Sequence, residues 1–160
     1  MEQNCIEEFP SKNFRSESFV YNEQKYEINV SLYSNAILVF IAFNGKIANM
    51  YELNIDINEE LENNNFGYVG YDEEENIKDI AIAECILGKR GNEQMNFIAN
   101  FIISYIKDII IKINSKISKI CLSLSLDKEL MNNIEDNKKV KIFLDTVKDS
   151  VGKIFNSGNK

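Results

Sequence analysis

Ala36–Phe43 is an unbroken run of eight apolar residues, AILVFIAF, and Asn44-Gly45 follows it at once. Its β-branched and aromatic content fits a pleated strand. A strand apolar on both sides belongs in the middle of a sheet with both faces covered. Asn and Gly both tolerate positive φ, so the pair favours the type I′ turn whose twist matches a hairpin. Lys46–Ile55 then returns with Ile47, Tyr51, Leu53 and Ile55 on one face and Asn49 as the exception. The pattern predicts a β-hairpin, the first strand central and the second half-buried.

The neighbouring segments extend this into a meander. Ser16–Tyr21 and Lys25–Leu32 read as two strands around a turn at Asn22-Glu23. In the second, Tyr26, Ile28, Val30 and Leu32 alternate with polar residues, the period of a half-buried strand. Short connections imply antiparallel pairing. Ile77–Leu87 resumes strand character, with Ile80, Ile82, Glu84 and Ile86 on one face and Ala81, Ala83, Cys85 and Leu87 on the other. The small residues leave room for a helix to pack closely.

Two helices follow from apolar residues at helical spacing. Asn92 can cap the first, about Glu93–Ile113, whose stripe contains Ile98, Phe101, Ile102, Tyr105, Ile106, Ile109, Ile110 and Ile113. Phe97 and Ile103 widen that stripe. Phe97, Phe101 and Ile103 are therefore candidates for a dimer surface. Asn114-Ser115 ends this helix. Ser118–Leu126 alternates as a strand. Residues 127–137 form a polar connector with a helical turn at Glu129–Ile134. Lys138–Ile154 is a closing helix whose last turn Gly152 weakens. The expected fold is α+β: a six-stranded antiparallel meander with two helices, in the order β-β-β-β-β-α-β-α.

The chain has 160 residues and a formal charge of −7. Its length suits one domain. We divide it into a loose lead-in, 1–15, an α+β domain, 16–155, and a tail, 156–160. The charge is uneven. Asp56–Asp79 holds nine acids against Lys78 alone, a net −8, which leaves the remainder near +1. With Asn63-Asn64-Asn65 at its centre, this insert reads as a solvated or disordered loop. It lacks the alternating ligands of an EF-hand.

Composition narrows the chemistry. There is no His, so no Ser/His or Cys/His nucleophile can be assembled. Glu84 is the one acid expected among apolar neighbours, where burial would raise its pKa. Cys5, Cys85 and Cys121 are far apart and form no CxxC pair; Cys85 and Cys121 suit small core positions. The polar start has no apolar signal core. An odd cysteine count then fits a reducing compartment, the cytoplasm or the nucleus. No apolar stretch reaches the roughly 20 residues of a transmembrane helix, and clustered Lys and Arg for a nucleic-acid backbone are missing. No cofactor and no metal are expected. Gly88-Lys89-Arg90-Gly91 lies where an anion site could form, after a strand and before a helix. It lacks the GxxxxGK[ST] and GxGxxG spacings, and a plain turn is the simpler reading.

The line Lys25–Asp56, KYEINVSLYSNAILVFIAFNGKIANMYELNID, resembles the N-terminal half of the third proteasome assembly chaperone family. Ile37-Leu38-Val39 and Gly45-Lys46 match its "ILV" strand and following turn. Cys85-Ile86-Leu87-Gly88 is similar to its "LLG" strand end, Ile98–Tyr105 to its long helix, and Ile120–Asp127 to the next apolar strand with its acidic exit. The resemblance covers about Ser16–Val151. Its motifs are short, and their order and spacing carry it. The acidic insert and Asp127–Asn137 are both longer than in the family.

The resemblance implies a chaperone without catalytic activity or cofactor. It would act as a dimer, with the fourth assembly chaperone or with itself, bind proteasome α-subunits and promote α-ring formation. Partner contacts are expected on exposed loops. The candidates are Asn44, Gly45 and Lys46 in one turn and Lys89 and Arg90 in another. A β-meander followed by helices is also the plan of longin- and profilin-like adaptor modules, the alternative reading.

Overall fold

The computed structural model describes residues 14–55, 81–113 and 116–156. The whole acidic insert with Ile80, the first thirteen residues, Asn114-Ser115 and the tail from 157 lie outside the described residues, and so do the expectations placed on them. The elements are β1 (Phe14–Tyr21), β2 (Gln24–Leu32), β3 (Ala36–Phe43), β4 (Asn49–Asn54), β5 (Glu84–Leu87), α1 (Glu93–Ile113), β6 (Lys119–Leu124), α2 (Lys128–Asn132) and α3 (Asn137–Asn156).

The strands form one six-stranded sheet in the order β1-β2-β3-β6-β4-β5. β1, β2 and β3 make the expected antiparallel meander. The β1–β2 turn places Asn22 and Glu23 at φ 50° and 65°, the paired positive values of a tight hairpin.

The expected β3–β4 hairpin does not form. β6 lies between the two strands, parallel to β3 and antiparallel to β4, so the sheet is mixed rather than antiparallel. The Asn44-Gly45 turn itself is present: φ is 53° and 65°, and the Lys46 N–H donates to the Phe43 carbonyl at 3.2 Å. The chain then continues through Ile47 and Ala48 before β4 begins. Five residues can span about 16 Å, enough to pass over one strand and cover two spacings of about 4.8 Å. β3 does become central, but its second neighbour, which pairs Lys119 with Ala36, comes from 83 residues on. The crossover follows from chain direction. β5 pairs antiparallel with β4 and so runs parallel to β6. Parallel strands need a long connection, and α1 supplies it.

One face of the sheet carries the core. Tyr26, Ile28, Val30, Ile37, Val39, Ile41, Ile120, Leu122, Leu124 and Tyr51 share that face by register and are buried. α1 covers them with Ile98, Ile102, Ile103, Ile106 and Ile110, and α3 with Phe143, Leu144, Val147 and Val151. Phe143 meets three rings, with centroids 5.4 Å from Tyr21, 5.4 Å from Tyr26 and 6.1 Å from Phe19. β1 is tied to both ends of α3: Tyr21 Oη donates to the Lys139 carbonyl at 3.1 Å and Arg15 to the Ile154 carbonyl at 2.8 Å. Gly152 lies within α3, which runs on to Asn156. A Cβ there would make an ordinary van der Waals contact, 3.4 Å, with the Tyr105 hydroxyl of α1.

The opposite face differs from expectation, because no described helix covers it. On β3, Leu38 and Phe40 are only half-buried while Ile37, Val39 and Ile41 are fully buried.

Candidate protein-binding surfaces

Two loops meet at one end of the sheet. The first is the β3–β4 connection, residues 44–48, and the second is the β5–α1 connection, residues 88–92. Asn49, a polar residue on the apolar face of β4, joins them. Its side chain is buried. Its Nδ2 donates to the Lys89 carbonyl and to Tyr51 Oη, and its Oδ1 accepts from the Lys89 N–H, all at 3.3 Å. Gly88 lies directly against this clamp at φ 103°, and a Cβ there would fall 2.4 Å from Asn49 Oδ1 and 2.9 Å from the Ala48 carbonyl. Only glycine fits both the backbone angle and the space.

Asn44, Gly45, Lys46, Lys89 and Arg90 are all exposed, and the clamp brings their two loops to one end. Asn92 accepts from the Met95 N–H at 3.0 Å, as expected of the α1 cap. Ile47 is not on the buried face of β4 but 61% exposed. The Asn49 role was hidden in the sequence. Its only signal was a polar residue out of step with the alternation.

The uncovered sheet face is the second surface. Leu38, Phe40, Met50 and Cys121 form its half-buried apolar centre, with Ala42 and Ser123 between them. β2 flanks it with Lys25, Glu27, Asn29 and Ser31, and β4 with Glu52. Glu52 pairs with Lys119 at 3.0 Å. Burial pushes the Cys121 thiol up, and the nearby Glu52 carboxylate adds to this. Cys121 therefore belongs to this face and not to the core. Cys85 does pack against the core.

The helix residues expected to form a dimer surface divide. Ile103 is fully buried inside the monomer, so it cannot serve. Phe101 is half-buried, with Lys148 Nζ 5.8 Å from its ring centroid. Phe97 alone of the three is exposed. The stripe was wide because α1 touches both the sheet and α3.

Strand β5 begins only at Glu84: of the expected Ile77–Leu87, residues 81–83 are not strand and 77–80 lie outside the described residues. Ahead of it, the Ala81 and Ala83 N–H groups donate to Ser104 Oγ at 2.7 Å and Asn100 Oδ1 at 2.9 Å on α1. Polar side chains of α1 thus hold the segment that leads into β5. The small Ala side chains allow this approach. Glu84 is exposed rather than set among apolar neighbours.

Asp127 and Tyr26 were not singled out from sequence. Asp127 is buried and caps α2, its Oδ1 accepting from the Leu130 N–H at 2.9 Å. The Tyr26 hydroxyl donates to Asp127 Oδ2 and accepts from the Asp127 N–H at 2.8 Å. Burial, reinforced by the bond to Asp127, holds the Tyr26 phenol far above its ordinary value. An Asp before a short helical run, Lys128–Met131, is the cap signal that could have revealed it.

Among the described residues no cluster of three or more His, Cys, Asp or Glu could hold a metal, and no helix is long and apolar enough to cross a membrane. No protein-family model matches the sequence, and no curated protein matches it. The fold is similar to a chain in the crystal structure of a novel chaperone complex for yeast 20S proteasome assembly. The TM-score is 0.53 at 16% sequence identity, over 86% of this chain and 97% of that one.

Proposed function

We propose that this chain is a non-enzymatic assembly chaperone that binds 20S proteasome α-subunits as a dimer and promotes α-ring formation. The observation that carries the reading is the likeness of fold to a chain of a yeast proteasome-assembly complex, which spans nearly all of both chains. Fold alone does not fix function. The ordered run of short motifs from Lys25 to Asp127 adds independent support, since it resembles the same class of chaperone. Exposed loops on a rigid sheet suit recognition of a protein partner, and nothing at Glu84 favours turnover.

The dimer uses the uncovered sheet face, with Leu38, Phe40, Met50 and Cys121 at its centre. Two sheets packed face to face bury such side chains at a spacing of about 10 Å. The partner is a second copy or a fourth-chaperone homologue, and the complex works in the cytoplasm or nucleus, where α-rings assemble.

Co-expression with each α-subunit of the same organism, with and without a fourth-chaperone homologue, tests the reading. Recovery of one or two α-subunits in a complex without β-subunits is expected. Failure to retain any α-subunit under both conditions overturns it. Recovery of GTPases or coat proteins would instead establish the adaptor alternative.

A further inference from the structure

We infer that the end of the sheet formed by residues 44–48 and 86–91 docks an acidic segment of a partner protein, anchored by an aliphatic or aromatic side chain. The inference rests on the chain being a binding protein but not on proteasome subunits being its target.

Three observations meet there. The first is charge. Lys46, Lys89 and Arg90 are exposed, and none takes part in an ion pair among the described residues. No carboxylate occurs in residues 44–49 or 85–92, although the chain as a whole is at −7. The N-terminal end of α1, a helix of 21 residues, opens beside Arg90 and contributes partial positive charge, offset in part by Glu93. A local cationic site is complementary to an acidic segment and steers it into place.

The second observation is apolar exposure. Ile47 is 61% exposed, and Leu87 is 54% exposed beside the same clamp, since Leu87 pairs with Met50 across the sheet. Large aliphatic groups set among unpaired cations give an anchor with a polar rim, the usual anatomy of a protein interface. A phosphate backbone would use the cations but leave the aliphatic groups uncovered.

The third is rigidity. Asn49 ties Lys89 to β4 through both its N–H and its carbonyl, and Gly88 leaves no spare volume. Residues forty positions apart are held together before any partner arrives, which lowers the cost of ordering them on binding.

Fluorescence anisotropy with short labelled peptides tests this on the full chain. The probe has glutamates flanking a Leu-Phe pair; the controls replace Leu-Phe by Ser-Gly, replace Glu by Lys, or substitute a single-stranded oligonucleotide of equal charge. The probe is expected to bind at least about tenfold tighter than every control. Lys46→Glu, Lys89→Glu and Arg90→Glu together should weaken it about tenfold or more, an effect that shrinks at high salt. Ile47→Ser with Leu87→Ser should weaken it at both low and high salt. An unchanged melting temperature checks that the variants remain folded. Binding unaffected by the charge reversals, or an oligonucleotide that binds as well as the probe, overturns the inference. Loss of α-subunit recovery with peptide binding intact would defeat only the proteasome reading.

Discussion

The two faces of the sheet are made by the same strands, residue by alternate residue, yet they are finished differently. On the helix face of β3, Ile37, Val39 and Ile41 are at most 1% exposed and meet α1 and α3. One position along, Leu38 and Phe40 are half-buried, and no described helix covers them. The helix face also carries the satisfied polar devices: Asp127 with Tyr26, and Asn49 with Lys89. The open face carries an apolar centre with a salt bridge at its margin. The first face holds the monomer together. The second retains apolar surface that a partner can cover.

The comparison breaks most sharply at Phe143, whose ring joins α3 to β1 and β2. Phe143→Ala is expected to destabilise the fold by about 3–5 kcal/mol, as truncation of a buried aromatic does. Urea unfolding by far-ultraviolet circular dichroism measures it. A loss below about 1 kcal/mol would mean that α3 is not anchored to this face.

A smaller effect is expected at Tyr26. Tyr26→Phe leaves the Asp127 N–H and one carboxylate oxygen without their partner, at a cost of about 1–3 kcal/mol. The pH dependence has a definite sign. Tyr21, Tyr26, Tyr51 and Tyr105 all have phenols raised above the ordinary value of 10.0, in each case first by burial. Above pH 10 the unfolded chain releases phenolic protons that the folded chain keeps. Stability is therefore complete below about pH 10 and falls as pH rises beyond it. Tyr26→Phe should make that fall shallower. Parallel alkaline curves for the two proteins would show that the Tyr26 phenol does not contribute.

Much of the helix face was legible in the sequence. The alternation in Tyr26–Leu32 and Ile120–Leu124, and the stripes of α1 and α3, report burial directly, because a residue either matches the period of its element or does not. The position of β6 was not legible. The Asn44-Gly45 turn has the right local chemistry for a hairpin, and it forms. Local preference cannot show that a strand beginning at Lys119 will insert between its arms. The loop candidates were found as turns, but their union through Asn49 depends on sheet order. The open face was hidden for a related reason. Phe40 and Leu38 look like core residues, and the placing of both long helices on one side leaves them without a described helix over them.

The smallest expected change in monomer stability, and the sharpest test of the comparison, is on that open face. Phe40 faces Asn29 on β2 and Ser123 on β6, where no described helix reaches it. Phe40→Ser should therefore cost the isolated monomer about 1–2 kcal/mol, well below the loss at Phe143, since only part of the ring is buried. The same change removes a large aromatic from the centre of the proposed dimer. Central aromatic anchors dominate interface energetics, with losses of 2 kcal/mol or more on truncation. Light scattering over a dilution series should show the wild-type chain as a dimer, alone or with its fourth-chaperone partner, and Phe40→Ser shifted to monomer at the same concentration. Phe97→Ser, on the far side of α1, serves as the contrast and should leave the dimer intact. If Phe97→Ser dissociates the dimer and Phe40→Ser does not, the helix surface is the interface, and the open face needs another explanation. If Phe40→Ser unfolds the chain as severely as Phe143→Ala, the two faces are equivalent and the distinction fails.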